Sequence, residues 1–269
     1  MPVALCKDPV TRELNKRGYN LVKLPRVGIE PMDVLGRDGT SVEKLGSISE
    51  VWTSSGPLPS VGAPTAVAGI GGERTSDLDV GIGLKLLADA LAGLGGGISL
   101  PSLSVAFKQA RTVQFRFDNV ESTSVTPFAL GKYLASGTLD TSNVFVAPYF
   151  GNDETQEYII FDVLKSDAIS VTAKSERGTE VSADANALAG AVGANVTVKG
   201  SVTGSTEITF KGHAKVTFAF KVFEVVFEDG TWKPSGVAPG DGVEFALPGE
   251  DDEAGPAILL KPGQLVRLK

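Results

Sequence analysis

From Ala194 to Val222 the chain alternates between two faces almost without a slip. Even positions carry Val196, Val198, Val202, Ile208, Phe210, Val216, Phe218, Phe220 and Val222; odd positions carry Asn195, Thr197, Lys199, Thr203, Glu207, Lys211, His213 and Lys215. Successive side chains of a strand point to opposite faces, so the run predicts an extended segment with one apolar and one polar face. Strands of globular proteins usually run about 3–10 residues. At roughly 3.3 Å per residue this one would reach about 90 Å, against about 30 Å for a hydrocarbon slab. An element apolar on one side and wet on the other is what the wall of a water-filled membrane barrel requires.

The preceding segment mirrors it. Ile159, Phe161, Val163, Ile169, Val171, Ala173, Val181, Ala183, Ala185 and Ala187 share the odd face, which Lys165, Asp167, Ser175, Arg177 and Thr179 interrupt. Opposite them lie Ser170, Thr172, Lys174, Glu176, Glu180, Ser182, Asp184 and Asn186. Between the arms, the small uncharged stretch Leu188–Ala194 suits a hairpin tip. Ile159–Val222 therefore reads as one long amphipathic hairpin, with Ile169, Val171, Ala173, Val181, Ala183, Ala185, Val196, Val198, Val202 and Ile208 as its lipid-facing candidates. Short strands of a half-solvated antiparallel sheet alternate in the same way, so the pattern alone leaves both readings open.

A second region repeats the idea. Leu78, Val80, Ile82, Leu84 and Leu86 fall on one side of Asp77–Leu86, and Leu103, Val105 and Phe107 on one side of Ser102–Lys108. Yet Leu84, Leu87, Leu91 and Leu94 recur at helical spacing across the piece between them. The segment reads both ways, which marks it as a candidate for two conformations.

The rest of the chain predicts conventional elements. Asp8–Gly18 has a capping Asp8, Pro9 for the first turn and Gly18 for the stop. Tyr19–Leu24 reads as a strand; Pro31–Leu35 and Ser41–Trp52 supply a strand and a short helix around the turn at Arg37–Gly39. Ser54–Gly72, rich in Gly, Pro and Ser, is a loop. Ala110–Val120 is a strand, and Thr126–Ala135 a helix capped by Thr126 with Pro127 in its first turn. Val144–Tyr149, Tyr158–Leu164 and Val216–Phe227 add strands. The expected class is α+β: a large twisted antiparallel sheet with peripheral helices and two regions convertible to membrane-spanning hairpins.

Composition narrows the functions. The 269 residues carry a formal charge of −7, which argues against a nucleic-acid binder working by bulk charge. Mean hydropathy is near zero and no run of about 18 apolar residues offers a transmembrane helix. Met1–Asp8 has neither the basic start nor the apolar stretch of a secretory signal, so barrel-type strands are expected to fold in the cytoplasm and convert later. One histidine, His213, and one cysteine, Cys6, leave no cluster with metal-ligand spacing and no intrachain disulfide. Gly69–Arg74 lacks the Lys-Ser/Thr ending of a phosphate loop, and nothing singles out a catalytic carboxylate pair, so neither a metal, a cofactor nor an enzyme is expected. Cys6, near the terminus and followed by Lys7, is of the kind that accepts a palmitoyl chain; one chain assists membrane binding without driving it.

The C-terminal part completes the layout. Residues 1–232 read as the main domain, with Trp232 ending its regular part. Residues 233–256 form a Pro-, Gly- and acid-rich linker prone to proteolysis. Residues 257–269 form a tail carrying Ile258, Leu259, Leu260, Leu265, Val266 and Leu268. Each such side chain contributes roughly 1.5–3 kcal/mol when buried. The tail is either a last strand of the core or a detachable plug. A tether supplies an effective concentration of about millimolar, so cutting the linker would release a marginal plug without altering one contact.

Gly18–Arg26, Pro31–Gly39, Ser76–Val80 and Pro127–Gly137, with this layout, resemble the bacterial gasdermins over essentially the whole chain. The resemblance implies a cell-death effector of anti-phage defence, waiting as an autoinhibited cytoplasmic monomer. It implies that a caspase-like protease removes the tail. Two hairpins per subunit then insert, and a large homo-oligomeric β-barrel pore forms among the lipids of the inner membrane. It places the acylated cysteine on Cys6 and the inhibitory tail on Ile258–Lys269. It does not place the cut, for which Leu247, followed by Pro248, and Asp252 are the candidates within Asp241–Gly255. A β-rich structural or adhesive protein with a stable, non-inserting sheet is the alternative.

Overall fold

A computed structural model describes residues 14–235, apart from 15–16, 39–40, 68–76, 97–98, 141, 145, 147–149, 151–154, 185–187, 189–191, 193–194, 201–205 and 229–230, and residues 265–266. The strands are β1 (Asn20–Arg26), β2 (Asp33–Asp38), β3 (Ser41–Ser47), β4 (Trp52–Ser54), β5 (Thr65–Ala66), β6 (Leu78–Asp79), β7 (Thr112–Asp118), β8 (Glu121–Ser124), β9 (Gly137–Leu139), β10 (Thr155–Lys174), β11 (Glu180–Val181), β12 (Val196–Gly200), β13 (Glu207–Glu228), β14 (Thr231–Ser235) and β15 (Leu265–Val266). The helices are α1 (Ile48–Val51), α2 (Val80–Gly93), α3 (Leu100–Ala106) and α4 (Pro127–Ala135). All strands but β4 and β9 join one sheet, so the class is the α+β arrangement that the sequence predicts, without barrel closure.

Two long strands form the spine. β10 and β13 pair antiparallel from Glu157↔Val225 to Thr172↔Glu207. On its other edge β10 meets β2, β8 and β7 in succession. The far edge of β13 is tiled by β12, β1 and β14, all antiparallel to it. Being central, β10 is buried on both faces: Ile169, Val171 and Ala173 on one, Ser166, Ser170 and Thr172 on the other. The polar face is satisfied internally, the Ser170 hydroxyl lying 2.8 Å from that of Thr209. Bulges between Ile160 and Asp162, Leu164 and Lys165, and Ser166 and Ala168 shift its phase.

Several local expectations hold. Gly18, at φ +79°, ends a turn in which the amides of Arg17 and Tyr19 bond the Leu14 carbonyl, although most of Asp8–Gly18 lies outside the described residues. α4 begins with Thr126 accepting from the Ala129 amide and Pro127 in its first turn. Others are corrected. Within Val144–Tyr149 the described residues Val144 and Val146 lie in turns rather than a strand, the Val146 amide bonding the Asn143 carbonyl. The regular part runs past Trp232 to Ser235, because β14 folds back on the end of β13. Thr65 and Ala66, in the expected loop, pair with β8.

The largest corrections concern the two hairpin regions at rest. Asp77–Leu86 and Ser102–Lys108 are not strands beyond Leu78 and Asp79; Val80 opens α2 and Leu100 opens α3. Asp79 accepts from the Gly81 amide at 2.9 Å and Ser99 from that of Ser102 at 3.4 Å, so each helix has its own start signal. Helical spacing then prevails over alternation, burying Leu84, Leu87, Leu91 and Leu94 together. Nor is Ala194–Val222 one strand: Val196–Gly200 folds back antiparallel on Ile208–Gly212. Leu188, placed at the expected tip, is helical and fully buried, and Val192 packs against the same core.

Candidate functional site: one core shared by two amphipathic regions

The apolar sets of the two hairpin regions face each other. Leu78, Leu84, Leu103 and Phe107 of the first and Ile169, Val171, Ala173, Val196 and Ile208 of the second lie in one buried cluster, with Val181, Ala183, Val198 and Val80 packed at its margin. Val105, expected among them, is exposed on the outer side of α3. Ile82 and Leu86 lie in α2 by backbone. Ala185 and Val202 fall outside the described residues. The apolar faces of the two regions thus cover each other.

Close approaches lock the halves together. A Cβ added to Gly212 would stand 2.9 Å from Leu94, and one added to Gly96 would stand 2.9 Å from Val196. At the end of α2 a Cβ on Gly93 would overlap the Pro25 carbonyl oxygen of β1 at 2.0 Å. The end of α2, in the first region, therefore rests on the second region and on β1. None of these glycines was marked by alternation, because a missing side chain leaves no phase.

β1 also carries the tail. Leu265 and Val266 form a strand parallel to β1, pairing Leu21↔Leu265 and Val22↔Val266. Sequence reasoning placed Leu265 and Val266 in the tail but did not find Leu21 and Val22 as its dock; β1 reads there only as an ordinary strand. Ile258, Leu259, Leu260 and Leu268 of the tail, Leu247 and Asp252 of the linker, and Cys6 lie outside the described residues.

A polar cluster fixes the other side of β1. The Tyr19 hydroxyl donates to Asp162 at 2.7 Å, Ser122 donates to the same carboxylate at 2.7 Å, and Lys221 stands 4.3 Å over the Tyr19 ring. Burial and the adjacent Asp162 carboxylate push the Tyr19 phenol well above its usual range. The arms bear paired charges as well: Arg116 bridges Asp118 at 2.7 Å and Glu207 at 2.8 Å, and Lys211 lies 3.5 Å from Asp167. No helix among the described residues is long and apolar enough to cross a membrane, which says nothing of strands.

Comparison with known proteins places this arrangement. Residues 22–233 match the model of the Bacterial Gasdermin Family. A gasdermin of Vitiosangium sp. is 36% identical over 231 residues, covering 85% of each chain. One from a Desulfuromonadales bacterium is 30% identical over 267 residues, covering 98% of each. The chain belongs to the bacterial gasdermin family. Its fold is that of the bacterial gasdermin from Bradyrhizobium tropiciagri, at a TM-score of 0.65 and 21% identity over 85% of this chain and 90% of that one. The family match ends at residue 233, so in this gasdermin the strand at Leu265–Val266 lies beyond the matched domain.

Proposed function

We propose that this gasdermin is an autoinhibited pore former. Proteolysis within Asp241–Gly255 by a caspase-like protease frees the tail. The remaining domain then oligomerises into a large β-barrel that opens the inner membrane and kills the cell in anti-phage defence. The observation that carries the reading is the mutual covering of two strand-patterned apolar faces in one core, beside a sheet edge occupied by the tail. Neither face suits lipid singly while its backbone is helical or folded back. Paired edge to edge with neighbours, every N–H and C=O of the extended arms is satisfied, so insertion is coupled to assembly.

The ends of the linker fit this role. Ser235 pairs with Glu224 and Leu21 pairs with Ala219, so β14 and the tail-bearing β1 flank the same edge of β13, about 17 Å apart at roughly 3.3 Å per residue. The 29 residues from 236 to 264 can extend to roughly 95 Å. That surplus gives a protease room to engage without first displacing the tail. Acylation of Cys6 would add membrane affinity.

Dye release from anionic liposomes tests the reading, comparing intact protein with protein cut at a site engineered into Asp241–Gly255. Release only after the cut is expected. Silence in both states, with the cut verified and the tail gone, would leave a stable sheet without membrane activity.

A further inference from the structure

One row of opposed residues crosses the whole sheet where the tail docks. Leu265 pairs with Leu21, Leu21 with Ala219, Ala219 with Leu164, Leu164 with Ser122, and Ser122 with Thr65. The row begins on the tail and ends on β5. The steps from β1 to β13, β13 to β10, β10 to β8 and β8 to β5 are all antiparallel. After these reversals β5 runs in the direction of β1. The tail strand β15 is parallel to β1 and so runs in that direction too. The two ends of the row therefore carry strands of one sense, one belonging to the tail and the other to the main domain.

The β5 end is open. Among the described residues β5 pairs with β8 alone, so its outer edge has no strand partner. Thr65 and Ala66 are exposed, and Leu58 and Val61, just ahead of them, are exposed aliphatics. Yet the segment is held in place: the Gly62 amide bonds the Ser124 carbonyl at 2.8 Å, and the Val67 amide bonds that of Val120 at 3.0 Å. An edge of unpaired N–H and C=O groups is a template for pairing with another chain. Both sides of the row also border one core. Leu164 and Ala219 lie in the same buried cluster, and Leu21 on one side and Val67 on the other pack against it half-buried.

We infer that the outer edge of β5 is a self-association surface, and that its partner is the β1 edge of a second copy of this chain once the tail has left. The inference rests on the pore-forming reading above. A second copy laid beside the chain with the row in line puts its Thr65 where Leu265 stands, opposite Leu21, with the strand sense unchanged. The tail thus holds the position of a neighbour's β5. The two edges differ, so the contact is head-to-tail and repeats from copy to copy, which closes a ring where the rotation permits. Intact protein offers the β5 edge but no free β1 edge, and so cannot extend the row.

Amide exchange on wild-type protein and cysteine linking test it. Leu21 and Val22 should stay protected in cut oligomers on anionic liposomes although the tail is gone. The Ala66 amide faces away from β8, since that of Val67 bonds Val120, and should exchange more slowly in those oligomers than in uncut soluble protein. Neighbouring strands lie about 4.7–4.9 Å apart, within disulfide reach. Leu21→Cys and Thr65→Cys proteins are mixed before cutting, so that any link between these positions joins two subunits. They should link in the oligomers and not in uncut soluble protein, with linked peptides read by mass spectrometry and Cys6 left in place. Ala66→Cys, pointing to the opposite face of its strand, should not link to Leu21→Cys. Free exchange of Leu21 and Val22 in the oligomers overturns the β5 contact. So does linking of Leu21 to Thr65 that is absent, or no greater than to Ala66, in variants that keep the wild-type Tm. Linking is scored on cut subunits whether or not dye escapes, so silence of cut wild-type protein in the dye assay overturns the pore reading alone.

Discussion

The Leu94 side chain occupies the place that a side chain on Gly212 would fill: a Cβ there would stand 2.9 Å from the Leu94 Cβ, Cδ2 and carbonyl oxygen. Leu94 closes α2 in the first hairpin region, and Gly212 lies where β13 meets β12 in the second, so this contact joins the two regions. Gly212→Ala forces backbone as well as side chain to move, a strain of about 1–3 kcal/mol. The expected result is a lower Tm and dye release from uncut protein. Thermal unfolding and liposome assays on the intact variant check it; an unchanged Tm with no leakage would show that this contact does not hold the core shut.

Val198 separates the resting state from the inserted one. It is half-buried at the margin of the shared core and paired with Phe210. Val198→Lys should therefore leave Tm close to wild type while abolishing release, since a cation at mid-bilayer on the lipid face costs about 2–4 kcal/mol in every subunit. Thr197→Lys, on the exposed opposite face, should release normally. The alternation alone would make Val196 an equivalent target, but Val196 is 7% exposed inside the core, and a charge there should unfold the resting protein first. Full leakage from cut Val198→Lys protein would sink the lipid-face assignment.

What the sequence made legible was the period of each segment, and what it hid was which period wins at rest. In Ile159–Val222 the period of two was right for β10 and β13, yet it could not show that Val196–Gly200 turns back on Ile208–Gly212, because a folded and an extended arm alternate alike. In Asp77–Lys108 two periods coexist. The helix prevails because Asp79 and Ser99 supply caps and because Leu87, Leu91 and Leu94 bury only in that form. The apolar content of the tail was legible; the pairing of Leu265 and Val266 with Leu21 and Val22 was not, since backbone pairing at an edge leaves no side-chain pattern.

Among the described residues the tail meets β1 through strand pairing of Leu265–Val266 with Leu21–Val22. Proline has no N–H to give such a ladder. Leu265→Pro combined with Val266→Pro should detach the tail and give release without cutting, and hydrogen exchange at Leu21 and Val22 should rise in the same protein. Because a tether acts at about millimolar effective concentration, a synthetic peptide of residues 257–269 should silence cut protein only near that concentration and only before it meets membrane. Inhibition at nanomolar peptide would mean that the tail binds too tightly for cleavage alone to release it.

Burial raises three phenols, Tyr19, Tyr133 and Tyr158, and the two raised furthest set an alkaline limit on the resting state. Burial, with Glu224 nearby, pushes Tyr158 up to about 12, and burial with the Asp162 carboxylate pushes Tyr19 higher still. An unfolded tyrosine ionises near 10. Between about pH 10 and 12 the folded chain therefore holds protons that the unfolded chain has lost, so stability must fall as pH rises through that window and be unaffected by these groups below it. Tyr158→Phe should flatten the fall without abolishing it, because Tyr19 remains. Tyr19 anchors the start of the tail-bearing strand through Asp162. Tyr19→Phe should therefore lower Tm at neutral pH and raise hydrogen exchange at Leu21, whereas Tyr158→Phe leaves that amide unchanged. Chemical unfolding at pH 8, 10 and 11 with amide exchange at Leu21 decides both points. An equal rise in exchange in the two variants would show that the Tyr19–Asp162 bond has no special part in holding the strand on which the tail docks.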